Sequence, residues 1–198
     1  VASAVLDGRV WVIGGITTGG ASALVESYDP ATDRWSAEPT LPVALHHAAA
    51  AVYRGEIVVA GGFLAGASLY ARASDRVLAL RKGNWVDLPP LLRPRGAAGA
   101  AVVGGALIVA GGRDATALIG PTETFDGAAW QDGAPILTRR DHLSAVSDGA
   151  SVFTVGGRFL APGATSAAFE RYDPATGTWE RLTAMPTERA GQGATLAG

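Results

Sequence analysis

The chain has 198 residues, 48% of them hydrophobic and 27 of them glycine, a composition suited to many short, tightly turned strands and poor for helices. A formal net charge of −2 and a pI near 5.9 argue against a general nucleic-acid binder, which needs a basic face and usually a strongly basic domain. With no cysteine, disulfides, thiolate chemistry and cysteine metal sites are excluded, while the redox compartment stays open.

The chain opens Val1-Ala2-Ser3-Ala4 with neither an initiator Met nor a charged-then-apolar leader, so any targeting segment was removed or lies outside this piece. From Val1 an inner strand, A, leads to a turn at Asp7-Gly8 and to an apolar run, Val10-Trp11-Val12-Ile13, read as strand B. Gly14-Gly15 closes that run, a loop covers residues 16–23, and Tyr28-Asp29-Pro30-Ala31-Thr32-Asp33-Arg34-Trp35 spells a hairpin of strands C and D. The same order returns three times. The second unit gives strands over residues 47–53, 56–60, 76–80 and 85–88, with a turn at Arg54-Gly55 and the doublet Gly61-Gly62. The third has Gly111-Gly112 and Trp130, and the fourth Gly156-Gly157 and Trp179. The doublets are 47 (14 to 61), 50 (61 to 111) and 45 (111 to 156) residues apart. A unit of roughly 40–50 residues points to a propeller or solenoid.

Strand A is rich in Ala and Gly, a poor strand composition that fits crowding where inner strands converge on an axis. Strand B is β-branched and aromatic throughout, which suits burial on both faces. The aromatic residue and Trp of the outer hairpin, seven apart in the first and fourth units, are placed to pack on one another; Leu78 stands in that position before Trp85, and Phe125 precedes Trp130. Residues 96–112 form an uncharged stretch approaching the ~20 residues a membrane-spanning helix needs. The corresponding register elsewhere carries Asp7-Gly8, Arg54-Gly55 and Asp148-Gly149, so Gly104-Gly105 is read as a hairpin turn and the span is rejected.

A strand ending in Gly-Gly, a long loop, Tyr-Asp-Pro, Trp, then Leu/Met-Pro and an Arg before the next strand resembles the kelch repeat. Residues 172–189, YDPATGTWERLTAMPTER, carry the likeness most fully. The resemblance implies an all-β kelch-type β-propeller over residues 1–198, with blade units at about 1–42, 43–90, 91–137 and 138–186. Residues 187–198 are expected to be the first strand of a further blade, with a turn at Gly198. Five A strands, from Val1, His47, Ala97, Leu143 and about Ala190, against four each of B, C and D, make four four-stranded blades plus one extra inner strand. Kelch rings most often have six or seven blades, so the chain is expected to be part of such a ring, the alternative being a four-bladed ring with one spare strand.

The resemblance also implies ligand contacts on one face, just after the diglycine and at the start of strand A. Arg113 and Arg158 occupy the first position, where the other units have Ile16 and Phe63. Arg95, Arg140 and Arg189 occupy the second, where unit two has Leu45, and two residues on stand His47, Ala97, His142 and Gly191. Five arginines about a channel mouth would favour an anionic ligand, because a guanidinium fork binds carboxylate bidentately in a field concentrated by a concave wall.

The three histidines, His46, His47 and His142, form no local metal-ligand spacing, and two adjacent strand residues would point to opposite faces. No metal or other cofactor is expected. The copper-radical chemistry of galactose oxidase, another kelch-blade protein, needs a cysteine. The expected role is a non-catalytic recognition module using the Arg-lined rim and the loops at residues 16–23, 63–74, 113–121 and 158–166. Its partner would be a protein, a peptide or a small anionic ligand. The alternative is an epimerase or mutarotase for an acidic sugar, resembling sialic-acid mutarotase, with Asp141 and Glu188 as acid and base. The Ala/Gly-rich wording of residues 41–62 also resembles sensor regions of actinobacterial membrane kinases, which would make the domain extracytoplasmic.

Overall fold

The computed structural model describes residues 1–66 and 68–196; Gly198, with its expected turn, and Ala67 of the second variable loop lie outside them. Among the described residues there is no helix, and eighteen strands form four four-stranded antiparallel sheets and one small hairpin. Blade 1 comprises β1 (Ala2–Leu6), β2 (Arg9–Ile13), β5 (Val25–Asp29) and β6 (Arg34–Glu38), with β3 (Ile16–Thr17) and β4 (Gly20–Ala21) inserted as a hairpin. Blade 2 comprises β7 (Ala49–Tyr53), β8 (Glu56–Ala60), β9 (Val77–Arg81) and β10 (Asn84–Leu88). Blade 3 comprises β11 (Gly99–Val103), β12 (Ala106–Ala110), β13 (Pro121–Phe125) and β14 (Trp130–Pro135). Blade 4 comprises β15 (Ser144–Ser147), β16 (Val152–Val155), β17 (Phe169–Asp173) and β18 (Thr178–Arg181). The inner strands adjoin in order, β1 beside β7, β7 beside β11 and β11 beside β15, giving the expected propeller arrangement. Residues 96–112 fall largely in the β11–β12 hairpin, and among the described residues no helix is long and apolar enough to cross a membrane.

Two-sided burial of the second strand builds the core. In β8, Ile57 and Val59 pack toward blade 1 with Ile13, Val25 and Leu45, whereas Val58 and Ala60 pack toward blade 3 with Leu107, Val109 and Phe125. Ile108 and Ala110 of β12 turn the other way, onto Val152, Tyr172 and Trp179 of blade 4. Period-2 alternation thus assigns successive side chains to successive inter-blade cores, so a continuous apolar run is required.

Each diglycine is the joint to the next blade. The second glycine's N–H donates to the carbonyl at the start of the following unit, Gly15 to Leu45, Gly62 to Arg95, Gly112 to Arg140 and Gly157 to Arg189, at 2.8–2.9 Å. The first glycine lies against that same carbonyl, leaving no room for a Cβ. Tryptophans staple the outside: Trp85 Nε1 donates to Pro39 O of blade 1 at 2.7 Å, and Trp130 Nε1 to Pro89 O of blade 2 at 2.8 Å. Trp179 Nε1 instead reaches Thr122 Oγ1 of blade 3 at 2.9 Å. Tyr28 and Tyr172 pack on Trp35 and Trp179 with centroids 5.2 Å apart. The cross-strand partner of Trp85 is Leu80, not Leu78, because the Lys82-Gly83 turn is shorter than the Asp-Pro turns.

The inner strands surround an axial channel of ≈ 460 Å³, lined by residues such as Ala48, Ala50, Ala98, Ala100 and Ala145. Small side chains are obligatory there: a Cβ on Gly99 would sit 2.7 Å from that of Ala145. The expected fifth inner strand is not a strand. Residues 190–196 carry no ladder pairing, although Gly191 N–H donates to His142 O at 2.9 Å and residues 191–194 line the channel. No second strand stands beside them among the described residues, so a ladder has nothing to form on.

Candidate functional site

The site is assembled where the second strand of one unit ends and the first strand of the same unit begins. Phe63 bridges His46, Arg113 bridges Gly96, and Arg158 bridges Asp141, so three equivalent backbone pairs place different residues at corresponding positions of blades 2, 3 and 4. Just inside it, a second register is strung between blades: Ala97 N–H donates to His47 O at 2.7 Å, and His142 N–H to Ala97 O at 2.8 Å. His47, Ala97 and His142 all take left-handed backbone, with φ of 52°, 55° and 51°, to make this turn. That conformation breaks strand alternation. The rings of His46 and His47 therefore meet instead of pointing apart, with their Nδ1 atoms 2.7 Å from each other, contrary to the expectation for adjacent strand residues.

Arg158, Asp141 and His142 form a fixed unit. Asp141 is buried, and its Oδ1 accepts from Arg158 Nε and from His142 Nδ1, both at 2.9 Å. Its Oδ2 has no hydrogen-bond partner and faces Arg113 Nε at 3.8 Å. Although burial resists ionisation, the donors His142 and Arg158 hold this carboxyl below the usual carboxylate range. The fixed carboxylate requires hydrogen on His142 Nδ1, which leaves Nε2 as the acceptor when the ring is neutral. Both arginine side chains keep solvent access, 14% for Arg113 and 33% for Arg158.

Tyr70 reaches this unit from the loop of blade 2. Its hydroxyl accepts from Arg158 Nη2 at 2.8 Å, and the guanidinium carbons of Arg113 and Arg158 lie 5.0 and 5.3 Å from its ring centroid. His47, His142 and Phe63 meet the same ring edge-on at 5.7, 6.0 and 5.1 Å. Sequence reasoning marked the loop at residues 63–74 but missed Tyr70, whose partner lies 88 residues away.

The other expected site residues are placed differently. Arg95 and Arg140 are fully buried inside blades 3 and 4, so they are not part of the solvent-facing rim. Arg95 donates to Gly111 O, Pro121 O and Glu123 Oε1 at 3.1, 3.0 and 2.5 Å. Arg140 donates to Gly156 O at 2.6 Å and to Glu170 Oε2 at 2.8 Å, among others. Phe63 is also fully buried, its ring filling the space above Gly96 where a Cβ would collide with it. Arg189 is exposed; its carbonyl accepts from Gly157 N–H at 2.9 Å and its own N–H donates to Ser166 O at 3.3 Å. The expected ring of five arginines thus becomes a pair, Arg113 and Arg158, with His47 and His142 beneath. Glu188, the expected partner of Asp141 in the sugar-enzyme alternative, is exposed and accepts from Thr165 at 3.3 Å, while Asp141 is held as a buried double acceptor. No three His, Cys, Asp or Glu side chains among the described residues converge to hold a metal.

Burial, followed by the neighbouring His142 and His46 charges, lowers the His47 pKa to about 4. The unfolded chain takes this proton near pH 6.5 and the folded protein only near 4, so stability falls as pH drops through that window and levels off below it. Discounted for partial exposure, the effect is on the order of 1–2 kcal/mol. Asparagine tolerates left-handed backbone and cannot protonate, so His47→Asn is expected to flatten the loss of unfolding midpoint between pH 7 and 4. Equal slopes for native and variant protein would remove His47 as the cause.

Comparison with known proteins agrees with this architecture. The Kelch motif family matches residues 1–42 and 139–186. Kelch-like protein terF of Aspergillus terreus (strain NIH 2624 / FGSC A1156) is 28% identical over 92% of this chain and 44% of its own length. Kelch-like protein 34 of Homo sapiens is 34% identical over 91% of this chain and 21% of its own. The chain thus spans less than half the length of these curated relatives. The solved structure of YjhT superposes with a TM-score of 0.80 at 16% identity, covering 96% of this chain and 72% of that one. Repeat, blade order and relatives together make this chain a kelch-repeat β-propeller.

Proposed function

We propose that this domain is a recognition module that captures an acidic segment of a protein partner at the Arg113–Arg158 mouth of its channel. The observation that carries this reading is the convergence of two partly exposed guanidinium groups on one buried carboxylate, Asp141, while the neighbouring Asp114 carboxylate is taken up by the Thr116 and Ala117 N–H groups of its own loop. A carboxylate arriving there gains charge-assisted hydrogen bonds in a partly desolvated setting. Kelch-like relatives support a protein partner, and the loops of differing sequence beside the mouth supply a surface for specificity.

Selection from a displayed library of random peptides tests the reading. Native protein is expected to enrich Asp- and Glu-containing sequences, and Arg113→Ala/Arg158→Ala to lose that enrichment. The same peptides emerging from both proteins, or no acidic bias from the native one, would refute it.

A further inference from the structure

Both guanidinium groups of the mouth are already turned onto an aromatic ring. Tyr70 carries its ring to within 5.0 and 5.3 Å of the Arg113 and Arg158 guanidinium carbons, and its hydroxyl accepts from Arg158 at 2.8 Å. Phe63, His47 and His142 meet the half-buried ring edge-on, so the Tyr70 phenol has cations near the ring, aromatic neighbours and a donor at the oxygen. Tyr70 comes from blade 2, whereas the two arginines belong to blades 3 and 4. Beside the ring lies a cavity of ≈ 150 Å³ bounded by Tyr70, Arg113, Arg158 and residues 159–163, with Phe159 and Leu160 exposed at its edge. Tyr70 occupies the Arg158 Nη2 donor, and Arg113 donates to Asp114 O and Ala115 O at 2.9 and 3.1 Å.

We infer that Tyr70 is an internal ligand and that the mouth is a subsite for an aromatic ring bearing an oxygen acceptor, a phenol or aromatic carboxylate, which takes the place of the Tyr70 side chain. This rests on the proposed reading of Arg113 and Arg158 as a binding mouth and adds the chemical class admitted there. The incoming ring inherits the contacts of Tyr70, and its oxygen takes the Arg158 donor. Native affinity is lowered by the fraction of molecules in which Tyr70 fills the subsite.

The test is a calorimetric titration of native protein, Tyr70→Ala and Tyr70→Ala/Arg158→Ala with N-acetyltyrosinamide, 4-hydroxyphenylacetate and acetate, each variant first checked for a native-like unfolding midpoint. Tyr70→Ala is expected to bind one or both ring probes at least tenfold more tightly than native protein, to gain nothing for acetate, and to lose the gain with Arg158→Ala. Preference for N-acetyltyrosinamide would identify a protein side chain as the source, and preference for 4-hydroxyphenylacetate a free aromatic acid. Tyr70→Phe, which keeps the ring and loses the bond to Arg158, is expected to show an intermediate gain. Unchanged or weaker ring-probe binding in folded Tyr70→Ala, or an equal gain for acetate, would overturn the inference. Loss of acidic-peptide capture in the arginine variants would still stand in that case, so the two readings fail separately.

Discussion

Gly61→Ala is expected to lower stability by about 4 kcal/mol or more, the sum of left-handed strain and a collision with backbone that cannot retreat. Gly61 has φ +65°, and a Cβ there would overlap the Arg95 carbonyl oxygen, which is held in place by the Gly62 N–H at 2.8 Å. Moving that carbonyl would shift the start of blade 3, and with it the buried Arg95 guanidinium. A loss of this size is a large part of the 5–15 kcal/mol typical of a folded domain. Gly55→Ala is the control: its φ is +78° but a Cβ meets nothing within 4 Å, so only the conformational cost of about 1–2 kcal/mol applies. Denaturant unfolding followed by tryptophan fluorescence separates the two. Equal losses in both variants would show that the joint tolerates a side chain.

The second large effect concerns the buried ion pairs. Arg140→Leu is expected to destabilise by about 3–5 kcal/mol, because it leaves the fully buried Glu170 carboxylate without its cation. Adding Glu170→Leu is expected to recover most of that loss. Blade 2 already shows the substitution made: Leu45 and Leu78 occupy the positions that Arg140 and Glu170 hold in blade 4, and Arg95 and Glu123 in blade 3, and both leucines are buried in one core. A double variant no more stable than Arg140→Leu alone would mean that the charged pair does something leucines cannot replace.

The blade count, the strand order and the small-residue channel wall were legible in the sequence, because a repeat states the same local rules four times. The rim arginines were not separable by residue type. Arg95 and Arg113 read alike, yet one is swallowed by its blade and the other faces solvent. A signal existed within the repeats: arginine at the start of the first strand is matched by glutamate in the third, Arg95 with Glu123 and Arg140 with Glu170, and leucine is matched by leucine. The left-handed turn at His47 was illegible, since the same backbone is adopted by Ala97, a residue with no preference for it. The reach of Tyr70 across blades to Arg158 belongs to no local pattern.

These corrections narrow the binding account to Arg113 and Arg158, which share Asp141 and face Tyr70. The direct measurement is the affinity of one selected acidic peptide, and of its amide counterpart, for native protein, Arg113→Ala and Arg158→Ala. Each arginine variant and the amide peptide are expected to weaken binding about tenfold, the order associated with loss of a charge-assisted hydrogen bond. Unchanged affinity in both folded arginine variants would contradict a binding site at this mouth.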